Sequence, residues 1–353
     1  MTGLAQRRAA TLRHGVNLSH WYGQVYMAPG YRPEHYERYM QQRDLEIIAS
    51  LGFDHVRFPL ALEQMLAPDA DPPMRQEFVD RVEHEIERLH ALGLAVIVDL
   101  HPEDEYKRDL AANDRAVDAF VAFWSALATR WAHLDPERTV FEVLNEPGIG
   151  DASRWNQMQG AALRAIRSAA PDHTVIVSGD QYSQVPELLK LEPPADDNLV
   201  YNFHLYDPAS LTHQGAYWAH PWLQGTKGLV YPPDEENIRE LSSATSDPKS
   251  QAELAAYERS GWGPDVYGRL VDRAATWAAK NGVPLTCNEF GIYRKFVPRD
   301  SRLRWLHDLT TAFSTRGIGW TVWDYAGDFG VVVGGSGERE PDAEVVAALG
   351  LAR

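Results

Sequence analysis

Two glutamates occupy settings suited to acid–base or nucleophilic chemistry. In Phe141-Glu142-Val143-Leu144-Asn145-Glu146-Pro147 an apolar run of strand character ends in an amide, a carboxylate and a proline. Proline stops the strand and fixes the backbone just past the acid. In Leu285-Thr286-Cys287-Asn288-Glu289-Phe290-Gly291 a second carboxylate stands in the same relation to a second apolar run. Two carboxylates facing across one cleft are what cleavage of a glycosidic bond requires: one protonates the leaving oxygen, and the other attacks the sugar carbon or activates water. A gap of about 5 to 5.5 Å calls for direct attack and retention of configuration, whereas roughly 6.5 to 9.5 Å admits a water and gives inversion. Spacing along the chain does not measure that gap.

The elements that must position these acids alternate regularly. Short apolar runs rich in Val, Ile and Phe recur, each followed by a stretch of helical periodicity, the pattern of a parallel sheet with crossover helices. Eight candidate strands are Gly15–Leu18, His55–Phe58, Ala95–Leu100, Val140–Leu144, Val175–Ser178, Val200–Phe203, Leu285–Asn288 and Ile318–Trp323. Phe78, Val82, Ile86 and Leu89 set one apolar stripe on a helix ending near Gly93. Similar helical stretches run over Pro33–Leu51, Ala116–His133, Ser153–Ala170, Pro264–Asn281, Ser301–Arg316 and Pro341–Leu349, with a short one near Val185–Lys190. Leu51-Gly52-Phe53, Leu92-Gly93-Leu94 and Asn281-Gly282-Val283 end helices on glycine and lead straight into strands. Helix-to-strand turns are thus short and several strand-to-helix connections long, as in a barrel whose active site lies at the carboxyl ends of its strands. The expectation is one α/β domain over residues 1–353, a single (β/α)8 TIM barrel. Residues 1–13 read as an N-terminal extension, and residues 207–263 as an extended active-site loop between strand 6 and its helix. That segment carries Tyr217, Trp218, His220, Trp222, Tyr231 and Trp262, either as sugar-binding rings or as a small core of the loop itself.

Composition narrows the function classes. The chain has 353 residues, 44% hydrophobic, and a formal charge of −16, with no basic run to neutralise a phosphate backbone. Nucleic acid is therefore not an expected partner, and a neutral ligand suits the surface better than a phosphorylated one. Cys287 is the single cysteine, so no intrachain disulfide or cysteine-based zinc cluster is available, and a small buried hydrophobe is its plain reading. The Gly-rich run at Gly334, Gly335 and Gly337 lacks the lysine and following helix of a phosphate loop. No apolar run matches a membrane span, and the start MTGLAQRRAATLRHG has no apolar signal core. The expectations are a soluble chain that needs no membrane, cofactor or metal, and a monomer; the compartment is left open.

The segments GVNLS, HVRFPL, VIVDLH, FEVLNEPG, NFHLY, NEFG and WTVWDY, in this order and each at a strand end, resemble glycoside hydrolase family 5, within the retaining clan of (β/α)8 enzymes. The resemblance covers the chain from about His14 to Trp323. It implies that Glu146 is the general acid/base, Glu289 the nucleophile and Asn145 a partner of the sugar 2-hydroxyl. It further implies substrate-site duty for Arg57, His101, His204 and Tyr206, with Tyr206 bonded to the nucleophile and Trp323 as an apolar floor beneath the reacting sugar. Glu146 must then be protonated near neutral pH, while Arg57, His204 and Tyr206 favour the charged form of Glu289. The implied activity is endo-hydrolysis of β-1,4-linked glucan, as in cellulases, on an oligosaccharide or polysaccharide substrate. The long loop after strand 6 admits exo action or another β-glycan such as mannan.

Each residue also has a structural reading. Arg57 serves equally as a buried ion-pair partner of Glu142, whose side chain shares a face with Glu146 by strand alternation. His101, His204 and Trp323 are also readable as core residues, and Asp99 and Asp324 as structural acids. Trp21, Trp218, Trp222 and Trp262 are candidates for sugar subsites because aromatic faces suit the apolar faces of equatorial sugars. Asn17 and His20 are candidates by position alone. Two other functions compete. A metal-dependent barrel hydrolase would use His101, Glu103 and His204, but no His-x-His pair follows strand one. A carbohydrate-binding protein that had lost catalysis is opposed by the presence of both glutamates.

Overall fold

A computed structural model describes residues 3–351 of the chain. Eight parallel strands close into a barrel: β1 (His14–Asn17), β2 (His55–Leu60), β3 (Ala95–Leu100), β4 (Thr139–Glu142), β5 (Thr174–Ser178), β6 (Leu199–Leu205), β7 (Leu285–Phe290) and β8 (Gly319–Val322). Each strand pairs with the next in sequence, and β8 returns to β1, with Gly15 opposite Thr321. The ladder shifts register between Phe203 and His204 on the β6–β7 side and between Cys287 and Phe290 on the β7–β8 side. Both shifts fall at the site-bearing ends of β6 and β7.

Outside the barrel the expected helices form because their apolar stripes have a sheet to cover. The helix Gln76–Ala91 buries Phe78, Val79, Val82, Ile86 and Leu89. It terminates before Gly93, whose φ of 82° is one a side chain would strain. The helix Pro264–Asn281 starts on a proline and stops on Gly282 in the left-handed conformation. The stretch expected as one helix from Pro33 to Leu51 is two, Pro33–Tyr39 and Gln42–Ser50. The break comes at Met40, which is extended, and Gln41 opens the second helix through a reciprocal cap with Asp44.

The segment 207–263 is not an open loop. It folds into a short helix at Ala209–Thr212, a 3-10 turn at Pro221–Thr226 and two helices at Glu235–Ala244 and Pro248–Ser260. Asp234 and Asp247 cap the last two, and Gly261 ends the insertion with φ 59°. Few apolar residues mark its two longer helices, the first burying only Ile238 and the second Ser250, Leu254 and Tyr257, which is why the sequence reads as loop. Residues 4–9 of the supposed extension are also helical, and they seal the amino-terminal end of the barrel. Leu12 there joins Ala95, Ile97, Val140, Ile176 and Val200 in a separate apolar plug. Arg8 crosses it to Thr174 and Glu137. Among the described residues no helix is long and apolar enough to cross a membrane.

Trp21 belongs to this scaffold. It is fully buried, its indole N–H donates to the Tyr36 carbonyl at 2.9 Å, and its ring stacks on Phe58. The expectation of a sugar-facing ring at Trp21 gives way to a core role, because the chain after β1 folds back over β2 and turns the indole inward. Trp21→Ala is therefore expected to lower unfolding free energy by about 3–5 kcal/mol in a denaturant titration, with KM for substrate unchanged in the folded enzyme. A higher KM at full stability would contradict this placement.

Candidate active site

Arg57 on β2 anchors the mouth of the barrel from below. It is fully buried, and its Nε and Nη2 donate to the two oxygens of Glu142 at 2.9 and 2.8 Å. Nη2 also reaches Asn145 Oδ1 at 2.8 Å and lies 3.1 Å from Asp99. Nη1 donates to Glu289 Oε1 at 2.6 Å and to Asn17 Oδ1 at 3.1 Å. One guanidinium thus braces β4 through Glu142, as the structural reading expects, and also holds Glu289. Burial opposes charge on Arg57, but Asp99, Glu142 and Glu289 outweigh it and push its pKa further above the ordinary guanidinium value.

Glu289 receives a second donor, the Tyr206 hydroxyl, at 2.9 Å on its other oxygen. Burial and the neighbouring Glu289 charge push the Tyr206 pKa well above its usual value, so the phenol keeps its proton. Glu146 is placed differently. Its Oε1 lies 2.9 Å from His204 Nδ1, its side chain keeps 22% exposure, and among the described residues no arginine pairs with it. Burial raises its pKa, against the opposing charges of Lys107, His101 and Arg57. The backbone of Glu146 has φ 42°, a left-handed conformation that costs a non-glycine residue about 1–3 kcal/mol. One oxygen of Glu146, one of Glu289 and Nδ1 of His204 all lie within 4.8 Å of one another.

His101 on the β3 side has Nδ1 2.9 Å from Asp99 Oδ2, and its Nε2 faces the amides of Asn145 at 3.1 Å and Gln24 at 3.0 Å. Since Asp99 accepts, Nδ1 carries the hydrogen and Nε2 is the acceptor. Burial depresses the pKa of His101 to about 3 and of His204 to about 4, while it raises that of Asp99 to about 6. Both imidazoles are therefore neutral near neutral pH. Trp323 stands beside His101, ring centroids 6.0 Å apart and nearly parallel, over a small apolar cluster with Tyr293 and Phe329.

The structure brings together Arg57, His101, Asn145, Glu146, His204, Tyr206, Glu289 and Trp323 at the carboxyl ends of six strands. The insertion's aromatics divide. Trp218 is 56% exposed and stands edge-on to His213, which itself packs against Tyr206. Trp222 is half-buried against His220 and Lys249. Trp262 packs on Tyr267, which bonds the buried Trp305, and so lies with the outer core instead of the cleft. Asn17 is buried between Arg57 and the Asn288 carbonyl, and the His20 ring turns to the Gln24 carbonyl. Asp324 takes hydrogen bonds from Ser19 and the Gly327 N–H, a structural role. Cys287 is buried, and burial pushes its thiol pKa far up. Sequence reasoning missed Asn202, Asn288 and Gln24. Strand alternation put Asn202 on the face of His204 and was a usable signal; Gln24 had none, since it arrives from a loop turned by left-handed backbone at His20 and Gln24.

Glu146, His204 and Glu289 also form the trio of possible metal ligands among the described residues. Three of the four carboxylate oxygens, however, are engaged by donors from His204, Arg57 and Tyr206, which is the pattern of hydrogen-bonded carboxylates.

An eight-stranded barrel with two unequal carboxylates across its carboxyl-end mouth is the arrangement that a glycoside hydrolase uses. The profile of the cellulase family, glycosyl hydrolase family 5, matches residues 20–328, and the chain belongs to that family. Endoglucanase C of Acetivibrio thermocellus is 27% identical over 321 residues, covering 89% of this chain and 91% of its own. Cellodextrinase A of Ruminococcus flavefaciens is 28% identical over 315 residues, covering 86% and 82%. The Thermotoga maritima Cel5A structure in complex with cellobiose superposes with a TM-score of 0.78 at 24% identity, covering 98% of each chain; it shares the fold.

Two outcomes follow from the site's electrostatics. Arg57→Met strands Asp99 and Glu142 without their cation and is expected to cost about 3–5 kcal/mol in urea unfolding; a loss below 1 kcal/mol would show the ion network to be dispensable. The depressed pKa of His204 means that the unfolded chain, near 6.5, takes up a proton the folded one refuses. Its stabilising contribution is present above pH 6.5 and is lost as pH falls toward about 4. His204→Gln should flatten the fall of Tm with decreasing pH across that interval, and an unchanged slope would contradict a neutral, buried His204.

Proposed function

We propose that the chain is an endo-acting, retaining hydrolase of β-1,4-linked glucan, working as one catalytic domain, with Glu146 as general acid/base and Glu289 as nucleophile. The observation that carries this reading is the approach of the two carboxylates within 4.8 Å. It suits the roughly 5 to 5.5 Å of direct attack better than the roughly 6.5 to 9.5 Å that the water of an inverting enzyme needs. In the first step a Glu289 oxygen bonds to the anomeric carbon as the bond to the leaving oxygen breaks, and the Glu146 proton passes to that oxygen. Arg57 and Tyr206 hold Glu289 to its line of attack. Conversion of Glu289 to an ester removes a negative charge beside Glu146, which eases its ionisation. Glu146 then takes a proton from water, the water oxygen bonds to the anomeric carbon, and Glu289 is released with the sugar's configuration retained.

Asn145 is poised for the sugar 2-hydroxyl, because its oxygen is bound by Arg57 and its NH2 points toward the mouth at His101. Trp323 supplies the apolar floor, and Trp218 a sugar platform on the insertion. The endoglucanase relative supports a β-glucan polymer as substrate. The cellodextrinase relative, together with an insertion that stands over one flank of the mouth, supports a second reading: preference for short β-glucan oligosaccharides.

Glu289→Ala is expected to abolish reducing-sugar release from soluble β-glucan. Glu146→Ala should lose about 10²–10⁴-fold on β-glucan yet retain activity on 2,4-dinitrophenyl β-cellobioside, whose leaving group needs no proton, with added azide giving the β-glycosyl azide. Equal activity of wild type and Glu289→Ala would overturn the assignment. A panel of β-glucan, mannan and cello-oligosaccharides, with product sizes followed in time, separates the polymer from the oligosaccharide reading.

A further inference from the structure

Asn202 lies on β6 two positions before His204 and is fully buried. The backbone N–H of Asn288, on β7, donates to its Oδ1 at 2.9 Å. A backbone N–H only donates, so the oxygen of Asn202 faces β7 and its NH2 faces the opposite way. There Nδ2 meets two acceptors, Glu142 Oε1 at 3.3 Å and His204 Nε2 at 3.2 Å. A ring nitrogen that receives a hydrogen bond carries no hydrogen, so the single N–H of the neutral imidazole is on Nδ1. Nδ1 points at Glu146 Oε1, 2.9 Å away, with Glu289 Oε2 further off at 3.8 Å.

We propose that Asn202 is a positioning residue: by holding His204 in the Nδ1–H form it occupies Glu146 Oε1 with a donor and assigns the catalytic proton to Glu146 Oε2. The inference rests on the reading of Glu146 as the acid. Oε1, facing an N–H, is a poor place for a second hydrogen, whereas Oε2 is free to present one to the leaving oxygen. As the glycosidic bond breaks, the proton leaves Oε2 and the His204 N–H stabilises the carboxylate that results. The second step returns a proton from water to the same oxygen. Glu142, Glu289, Arg57 and His101 also act on His204, and Lys107, His101, Arg57 and Asp104 on Glu146. None of them contacts Nε2, where Asn202 supplies the donor; the carboxylate oxygens at Nδ1 favour the same tautomer from the other side of the ring.

The opposite tautomer would direct a lone pair at Glu146 Oε1 and draw the acid's proton onto that oxygen, away from the substrate. N202D keeps the shape of the side chain and removes the amide donor from Nε2; in its ionised form the new carboxylate accepts there and pulls the ring hydrogen to Nε2. Two-bond ¹H–¹⁵N spectra of the ¹⁵N-histidine-labelled enzyme at pH 6.5, with His204→Gln identifying the resonance, are expected to report Nδ1–H in wild type and Nε2–H in N202D. On β-glucan, kcat/KM of N202D should fall ~10–100-fold, and on 2,4-dinitrophenyl β-cellobioside less than about threefold, because only the former needs the acid. An Nε2–H tautomer in wild type, or equal losses on both substrates, would overturn the proposal. Should N202D not fold, N202A carries the kinetic arm with the same expected split between substrates, and the wild-type spectrum still decides the tautomer. Wild-type enzyme inactive on every β-glucan would defeat the proposed function, while the spectrum would report on His204 independently.

Discussion

One buried cation, Arg57, sets the geometry of everything around it. A guanidinium offers five donors in a rigid plane, and here they reach Glu142 on β4, Glu289 on β7, and Asn17 and Asn145 at the ends of β1 and β4. Lysine has neither the span nor the fixed angles to do this. Such a cluster is a poor device for stability, since removing several charges from water consumes most of what their attraction returns. Its value lies in position. Glu289, the proposed nucleophile, is held through its two oxygens by two different donors, Arg57 and Tyr206, and has little freedom left.

The two glutamates differ in chemistry because they differ in neighbours. Glu289 is pinned by a permanent cation and a phenol. Glu146 faces a neutral histidine and the open mouth, on a backbone held in a left-handed conformation. The neutrality of His101 and His204 matters as much as the charge of Arg57. Two imidazolium ions at those places would stabilise both carboxylates alike and erase the difference that the proposed acid and nucleophile roles need. Burial keeps the rings neutral, and buried acceptors and amides then decide which nitrogen bears the hydrogen.

The barrel itself is sealed at its amino-terminal end and elaborated at the other. Leu12 and the helix before it close the base over small and branched side chains of β3 to β6. At the mouth, the exposed Trp218 of the helical insertion after β6 is linked by edge-on rings through His213 to Tyr206. Rigid support below and adaptable cover above is the division of labour this fold permits, since the strands carry the reacting groups and the connections shape access.

How much of this was legible in the chain depends on the range of the interaction. The alternation of strand and helix, the glycine stops, and the placement of Asn145, Glu146 and Glu289 at strand ends follow from local periodicity and turn chemistry, which neighbouring residues decide among themselves. So does the mutual proximity of strands 4 and 7 once the ring is closed. Helices Glu235–Ala244 and Pro248–Ser260 escaped because polar sequences fold there only against a surface supplied by the rest of the molecule. Trp21 gave the same local signal as Trp218, yet one is sealed in the core and the other exposed. The 4.8 Å approach of the carboxylates, the sharing of Arg57 and the orientation of Asn202 by a backbone N–H of β7 belong to tertiary structure alone. They depend on barrel closure and on the register shift at the end of β6, quantities that no stretch of sequence contains.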